Sequence, residues 1–306
     1  MLGLAIGDAL GMPAEGLTAQ EIEKNLGVVR DMLPGPTNHY HCGLEAGQFT
    51  DDTQATLLLA ESLIDAFGFS GDRFADKLKE WSTVWTLDNS LDRGVGITTK
   101  LSLRNLIAGM CWKDSGTSIP TCGSAMRVSP IGLVYHCNLN IVANYADLQS
   151  IITHCNPAAR AGAIAAAIGV ALGLMNFPRN SILQMACNYA GKVDHHFAEC
   201  LSRIESLMGL EPVKALEIIG NSPDVSETVP AAFYCFLKFE PEEALIVAAS
   251  SGGDTDSIAS ISGALFGAYR GTSWIPDRWL VCLEDREHIE CVAERLKELS
   301  RLLCKV

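Results

Sequence analysis

The chain has 306 residues, a formal net charge of −13, 48% apolar residues and 19% charged residues. That balance excludes a disordered chain. The absence of a basic footprint excludes a general nucleic-acid binder, and the length suffices to bury a large core.

The N-terminal stretch MLGLAIGDALG has no basic segment and reaches Asp8 too soon for a signal peptide. Ala5–Gly11 reads as a short helix of small residues in which Asp8 either faces a polar site or caps a turn. Residues 17–47 are loop-rich, with a helix over Thr18–Asn25. An amphipathic helix is predicted over 52–67, with Leu57, Leu58, Leu63, Ile64 and Phe67 on its core face. Further helices are expected over Phe74–Trp85 and Thr98–Ala108, separated by an irregular loop, NSLDRGVGITTK, with Asp92 at its bend. A second glycine- and serine-rich loop, Ser115–Pro130, contains Arg127 in otherwise uncharged sequence, which suits a buried ion pair or an anion contact.

A helix over Ile141–His154 ends in THCNP, and Pro157 then starts a long Ala-rich helix. Its uncharged run, Ala161–Phe177, is slightly short for a membrane span of about 20 residues and reads as a buried, tightly packed helix. His154, alone at a helix junction, reads as a structural histidine, and His195-His196 as exposed surface. Helices follow over 181–189, 193–207, 212–219, 229–237, 241–249 and 256–269, with a short one after Pro276. The last, about 285–303, places Ile289, Val292, Leu296, Leu299 and Leu303 at spacings of three and four. No strand alternates over more than four residues, and no linker or repeat divides the chain. The expectation is one all-α domain over 1–306. The eleven cysteines are scattered, with no CxxC pair and no zinc-finger spacing. They fit a reducing, cytoplasmic setting, with Cys187, Cys235 and Cys291 in apolar helical contexts.

Two stretches carry chemistry. Ser250–Ser260, SSGGDTDSIAS, places Asp254 and Asp256 with Thr255 and Ser257 at the start of an apolar helix. Gln48–Leu59, QFTDDTQATLLL, repeats the design with Thr50, Asp51, Asp52 and Thr53. One aspartate makes an ordinary cap; two aspartates and two hydroxyls are more oxygen than a cap needs. Brought together, the two helix starts would enclose a hard cation, since Mg²⁺ and Mn²⁺ prefer carboxylate, hydroxyl and water oxygens. The alternative is two unrelated capped helices that expose their acids to water.

GLAIGDALGMPAEG (Gly3–Gly16), GQFTDDTQ (Gly47–Gln54), GSAMRVSPIGL (Gly123–Leu133), the His154 junction and SGGDTDSIAS (Ser251–Ser260) together resemble the ADP-ribosylglycohydrolase family. They are especially like the branch with the dinitrogenase reductase-activating glycohydrolase. The motifs keep the family's order from residue 3 to about 270. The resemblance implies a compact orthogonal helical domain with two divalent metal ions, Mg²⁺ or Mn²⁺, in a cleft. It implies hydrolysis of the N-glycosidic bond between ADP-ribose and an arginine side chain of a modified protein, releasing ADP-ribose, with no membrane or nucleic-acid partner. Carried over, the metal ligands are Thr50, Asp51, Asp52, Asp254, Asp256 and Ser257, the last more often threonine in the family. Asp51, Asp256, Glu15 and Asp92 take the catalytic positions. Asp8, Gly123, Ser124, Met126, Arg127 and His154 surround the ADP-ribose. One departure concerns Thr121-Cys122, where many members have Gly-Asn.

Competing readings remain open at this level. They are another ADP-ribosyl linkage (serine, a nucleic-acid end or O-acetyl-ADP-ribose) and a non-catalytic ADP-ribose-binding or crystallin-like protein. If Leu245–Ala249 were a strand, the DTD would resemble the acidic loop of a haloacid-dehalogenase-type phosphatase, but the chain lacks the strand–helix alternation that fold needs.

Overall fold

The computed structural model describes residues 1–88 and 91–304. Asn89 and Ser90, which open the predicted 89–100 loop, lie outside the described residues. The described residues form helices throughout, with no strand. In chain order they are α1 Leu2–Gly11, α2 Ala19–Asn25, α3 Asp51–Asp65, α4 Gly71–Leu87, α5 Ile97–Ile107, α6 Ser129–Tyr135, α7 Leu139–Ile151 and α8 Pro157–Leu174. There follow α9 Arg179–Ala190, α10 His195–Leu207, α11 Pro212–Ile219, α12 Val225–Lys238, α13 Pro241–Ala249, α14 Thr255–Arg270, α15 Asp277–Cys282 and α16 Arg286–Leu303.

Two local differences from expectation have physical reasons. Helix α6 was not anticipated, because its Ser129-Pro130 start closes a glycine- and serine-rich loop; proline fits there because the first helical N–H groups need no partner within the helix. Helix α12 begins at Val225, four residues before the expected start. Asp224 caps it by accepting the Ser226 N–H at 2.8 Å, and Pro230 lies inside it rather than opening it. Leu245–Ala249 belongs to helix α13, as the helix predicted over 241–249 requires, and the strand on which the phosphatase-like reading depended is absent.

Helix α8 is the hub of the core. Asn156 caps it through the Ala158 N–H at 2.9 Å, and Ala159 and every residue from Ala161 to Gly173 are buried. Its small side chains let α6, α7, α9, α12 and α14 approach it closely. The apolar run is thus a core helix, with 78% of it buried inside the protein. Cys137, after α6, and Cys304, after α16, form a disulfide across 167 residues, a pairing that the expected reducing setting does not anticipate. Nothing in their sequence spacing signals that α6 and α16 are neighbours.

The closest helix pair is α1 with α14. Gly3, Gly7 and Gly11 recur every fourth residue and form one smooth stripe along α1. Along the antiparallel α14 they meet Gly263, Ala259 and Thr255 in turn. A Cβ at Gly3 would strike the Gly263 carbonyl, one at Gly7 the Ala259 carbonyl, and one at Gly11 the Thr255 carbonyl and the Asp256 backbone. The Thr255 hydroxyl donates to the Gly11 carbonyl at 2.9 Å and fixes the register. Substituting Gly7→Leu is expected to cost at least about 3 kcal/mol in urea denaturation, because backbone cannot yield as a side chain can. Gly209→Ala, where nothing lies within 4 Å of the added carbon, is expected to stay within about 0.5 kcal/mol. Equal stability of the two variants would contradict this crossing.

Candidate active site

The α1–α14 register brings the start of α14 beside the start of α3. Helix α3 is capped by the Thr50 hydroxyl, which accepts the Asp52 N–H at 3.4 Å. Asp51 and Asp52 fall in its first turn. At α14, Asp254 holds the capping position but makes no capping bond with its side chain. Its Oδ2 instead accepts from the Thr228 hydroxyl at 2.7 Å and the Cys122 thiol at 3.1 Å. The four aspartates are therefore not spent on capping. Asp51, Asp52, Asp254 and Asp256 are all buried and line one cleft of about 300 Å³.

Hydrogen bonds tie the two helix starts to each other. The Thr50 hydroxyl reaches both Asp8 Oδ1 at 2.8 Å and Asp256 Oδ2 at 3.2 Å. The Ser257 hydroxyl donates to Asp52 Oδ1 at 3.3 Å. The other Asp52 oxygen, Oδ2, is buried without a hydrogen-bond partner. A buried, unpartnered carboxylate oxygen costs free energy unless something positive meets it.

Backbone glycines set the loop before α14. Gly252 and Gly253 have φ of 82° and 72°, in the left-handed region that side chains rarely adopt. The turn lets the Gly253 carbonyl accept the Gly16 N–H at 2.6 Å and the Leu17 carbonyl accept the Gly253 N–H at 2.8 Å. That pair of bonds holds Glu15 over the cleft. Two further pins come from residues 221–224. The Asp254 N–H donates to Asn221 O at 2.7 Å, and the Cys122 N–H to Pro223 O at 3.1 Å.

The cleft wall holds Glu15, Asp51, Asp52, Gly123, Met126, His154, Asp254, Asp256 and Ser257 from the predicted set. Five other predicted residues, Thr50 behind the aspartates among them, lie behind it or to one side. Asp8 is fully buried and accepts four hydrogen bonds, from the N–H and hydroxyl of both Thr50 and Thr53, at 2.6–2.9 Å. It positions α3 and does not reach the cleft. Ser124 bonds to Ser150 and the Ala159 carbonyl. Asp92, given a catalytic position by the family resemblance, pairs with Lys100 at 2.6 Å and accepts the Val95 N–H at 3.0 Å. These two partners hold the loop that runs through Gly94 and Gly96.

Arg127 forms no ion pair among the described residues. Its guanidinium donates to Gln149 Oε1 (2.9 Å), Gln149 O (3.1 Å) and Thr153 Oγ1 (2.8 Å), and lies over the Phe74 ring. Burial without a carboxylate partner pulls its pKa down to about 9, opposed by the charge of Asp51. Arg127 nevertheless acts on the cleft through a relay. Because it donates to Thr153 Oγ1, that hydroxyl is free to donate to His154 Nδ1 at 2.7 Å. His154 Nε2–H then donates to Thr121 Oγ1 at 3.1 Å, which meets Thr98 Oγ1 at 2.8 Å. Burial, with the Arg127 charge, holds His154 well below the usual histidine pKa. The imidazole is neutral with a fixed tautomer, and Gly123 packs on it so closely that any side chain there would collide with the ring.

Residues 39–41 escaped sequence reasoning. His41 lies in the loop-rich segment but places Nε2 2.6 Å from Glu15 Oε2. The ligand atoms of Glu15, His41 and Asp256 lie within 4.8 Å of one another. Tyr40 stacks on His39 and lies tilted against His41, and the two histidine rings are 5.3 Å apart. The compact His-Tyr-His triplet was the one available signal.

Electrostatics complete the description. Burial pushes Asp51, Asp52 and Asp256 well above the usual carboxylate range, and repulsion from neighbouring carboxylates adds to it. Burial and the Glu15 charge push Asp254 up to about 6, against its hydrogen bonds from Thr228, Cys122 and Ser257. Glu15 goes the other way. Burial would raise it, but the hydrogen bond and charge of His41, with further hydrogen bonds to Asp256 and Tyr40, hold it below the usual glutamate value. Buried carboxylates in this number remain ionised together only with positive charge among them. The oxygen-rich donor set and the orphaned Asp52 oxygen suit a divalent cation.

An all-α scaffold that gathers two acidic helix starts under a glycine loop defines a class of hydrolase. The ADP-ribosylglycohydrolase family model matches residues 1–305, and the chain belongs to that family. An uncharacterized protein of Archaeoglobus fulgidus is 40% identical, covering 100% of this chain and 97% of its own. ADP-ribosylarginine hydrolase Tri1 of Serratia proteamaculans is 29% identical over 97% of this chain and 77% of its own, and ADP-ribosylhydrolase ARH3 of Bos taurus 27% over 97% and 90%. A solved structure of an ADP-ribosylglycohydrolase-related protein complex superposes with a TM-score of 0.79 at 29% identity, covering 98% of this chain and 95% of its own.

The raised carboxylates give a pH prediction. A carboxyl whose folded pKa lies above its unfolded value stabilises the fold below the unfolded value and loses that contribution as pH rises through the folded one. For Asp254 that window runs from 3.8 to about 6, and for Asp51, Asp52 and Asp256 it extends higher. In EDTA, the melting temperature of the wild type should fall by several degrees relative to Asp52→Asn/Asp256→Asn as pH rises from about 4 to above 6. Added Mn²⁺ should reverse the fall in the wild type alone. Parallel pH profiles would contradict the proposed repulsion.

Proposed function

We propose that this chain hydrolyses the N-glycosidic bond between ADP-ribose and an arginine side chain of a modified protein, at a centre of two divalent cations, Mg²⁺ or Mn²⁺. One observation carries the reading: four buried aspartates, none used as a cap, converge with an unpartnered carboxylate oxygen on the cleft that Gly123 and His154 also line. The arginine linkage is favoured by the likeness to Tri1, whose name specifies ADP-ribosylarginine.

Asp51, Asp52, Asp254 and Asp256, with the Thr50 and Ser257 hydroxyls, would hold the cations. When bound, these would neutralise the carboxylates and fix the ribose hydroxyls. The remaining chemistry belongs to the chain. Breaking the bond at C1″ develops positive charge on the ribose ring, and an acidic cleft stabilises that charge electrostatically. Glu15 overhangs the cleft and is kept ionised by His41, so it can accept a proton from the attacking water. His154, neutral and fixed by the Arg127–Thr153 relay, offers a rigid wall without adding positive charge. The Thr98, Thr99 and Thr121 side of the cleft supplies polar contacts for a nucleotide sugar.

Chromatography of products from an arginine-ADP-ribosylated protein tests this. Free ADP-ribose should appear with Mg²⁺ or Mn²⁺ and cease with EDTA. Asp51→Asn and Asp256→Asn should each lower kcat by at least about 10²-fold. Glu15→Gln should lower kcat with little change in KM, as loss of a proton acceptor does. Undiminished release in EDTA would overturn the metal-centre reading.

A further inference from the structure

We infer that Cys122 is a sulfur ligand to one cation of the acidic centre, so that this chain's centre selects a divalent transition metal over Mg²⁺ at that position. The inference rests on the proposed hydrolase centre and adds a donor that its oxygen set lacks.

The geometry is that of a coordination shell. Cys122 Sγ lies 3.1 Å from Asp254 Oδ2 and 3.6 Å from Ser257 Oγ. Ser257 Oγ lies 3.3 Å from Asp52 Oδ1. A sulfur at about 2.3 Å and an oxygen at about 2.1 Å from one cation are about 3.1 Å apart at a right angle and about 3.6 Å at the tetrahedral angle. Both sulfur–oxygen distances fall on these values. Asp52 joins these donors through Oδ1, and the same carboxylate, 1% exposed, keeps its other oxygen without a partner. Cys122, Asp52, Asp254 and Ser257 all line the cleft.

The thiol is held there by backbone. The Cys122 N–H bonds to Pro223 O, and Cys122 opens the short 3₁₀ turn Cys122–Ser124 beside α12. Thr228 of α12 bonds Asp254 from the adjacent side. Sulfur and the carboxylate are thus positioned from one frame before any ion arrives. Ligation replaces the S–H proton with the cation and releases that proton to solvent, with no change of oxidation state. Sulfur is a poor ligand for Mg²⁺ and a good one for Zn²⁺, Co²⁺ and related ions.

Metal-free protein titrated with Co²⁺ and followed by absorption provides the test. The wild type should develop a sulfur-to-cobalt charge-transfer band in the near ultraviolet. Cys122→Ser and Cys122→Asn, checked for folding by circular dichroism, should keep only the weaker ligand-field bands. By calorimetry, the ratio of Zn²⁺ to Mg²⁺ affinity should fall at least about tenfold in both variants. Wild-type binding of Co²⁺ without the charge-transfer band, and with an unchanged affinity ratio in the variants, would overturn the sulfur ligand while leaving the oxygen centre standing. Failure of the wild type to bind any of the three ions would overturn the centre itself and the sulfur ligand with it.

Discussion

The structure depends on how closely α1 can lie against α14. Three glycines on one stripe of α1 remove the side chains that would hold the helices apart, and a small-residue stripe on α14 receives them. The register so fixed has two consequences at the far end of α1. It carries Glu15 past the start of α14, where Gly16 bonds to Gly253. It also points Asp8 sideways into α3, where its four hydrogen bonds clamp Thr50 and Thr53. Helix α1 therefore sets the distance between two acidic clusters about 200 residues apart in sequence. The site is built by backbone proximity first and by charge second.

The charge arrangement opposes folding unless a cation is present. The N-termini of α3 and α14 both face the cleft, and the positive ends of their helix dipoles offset part of the negative charge. That contribution, about 1 kcal/mol per helix end, is small against several carboxylates removed from water. Asp52 shows the imbalance most plainly, with one oxygen bonded by Ser257 and the other by nothing. The protein tolerates this because Asp8, Arg127 and Gln149 form fully bonded networks behind the cleft that hold its walls in place.

Much of this was legible in the sequence. The two acidic helix starts follow from composition and spacing, and long amphipathic helices such as α16 follow from periodicity. The resemblance of five motifs in order then supplied the fold. What the sequence did not carry was direction. Asp8 and Arg127 are polar residues in apolar runs, and such a residue faces a site or supports one with equal sequence signature. Both support one here. His41 was missed because a histidine in an irregular loop has no periodicity to place it, and its partner Glu15 is 26 residues away. Asp92 was assigned from family position, yet its pairing with Lys100 depends on how the loop folds back onto α5. The Cys137–Cys304 pair was illegible for the same reason, since only the packing of α6 on α16 joins them.

The central claim is that α1 brings the starts of α3 and α14 together in order to hold divalent cations between them. A crystal grown with Mn²⁺ and measured for anomalous scattering tests it most directly. The account predicts two anomalous peaks inside the cleft, within bonding distance of Asp51, Asp52, Asp254 and Asp256, with Asp52 Oδ2 in contact with one of them. Peaks confined to surface carboxylates, or a cleft in which water alone meets Asp52, would contradict it.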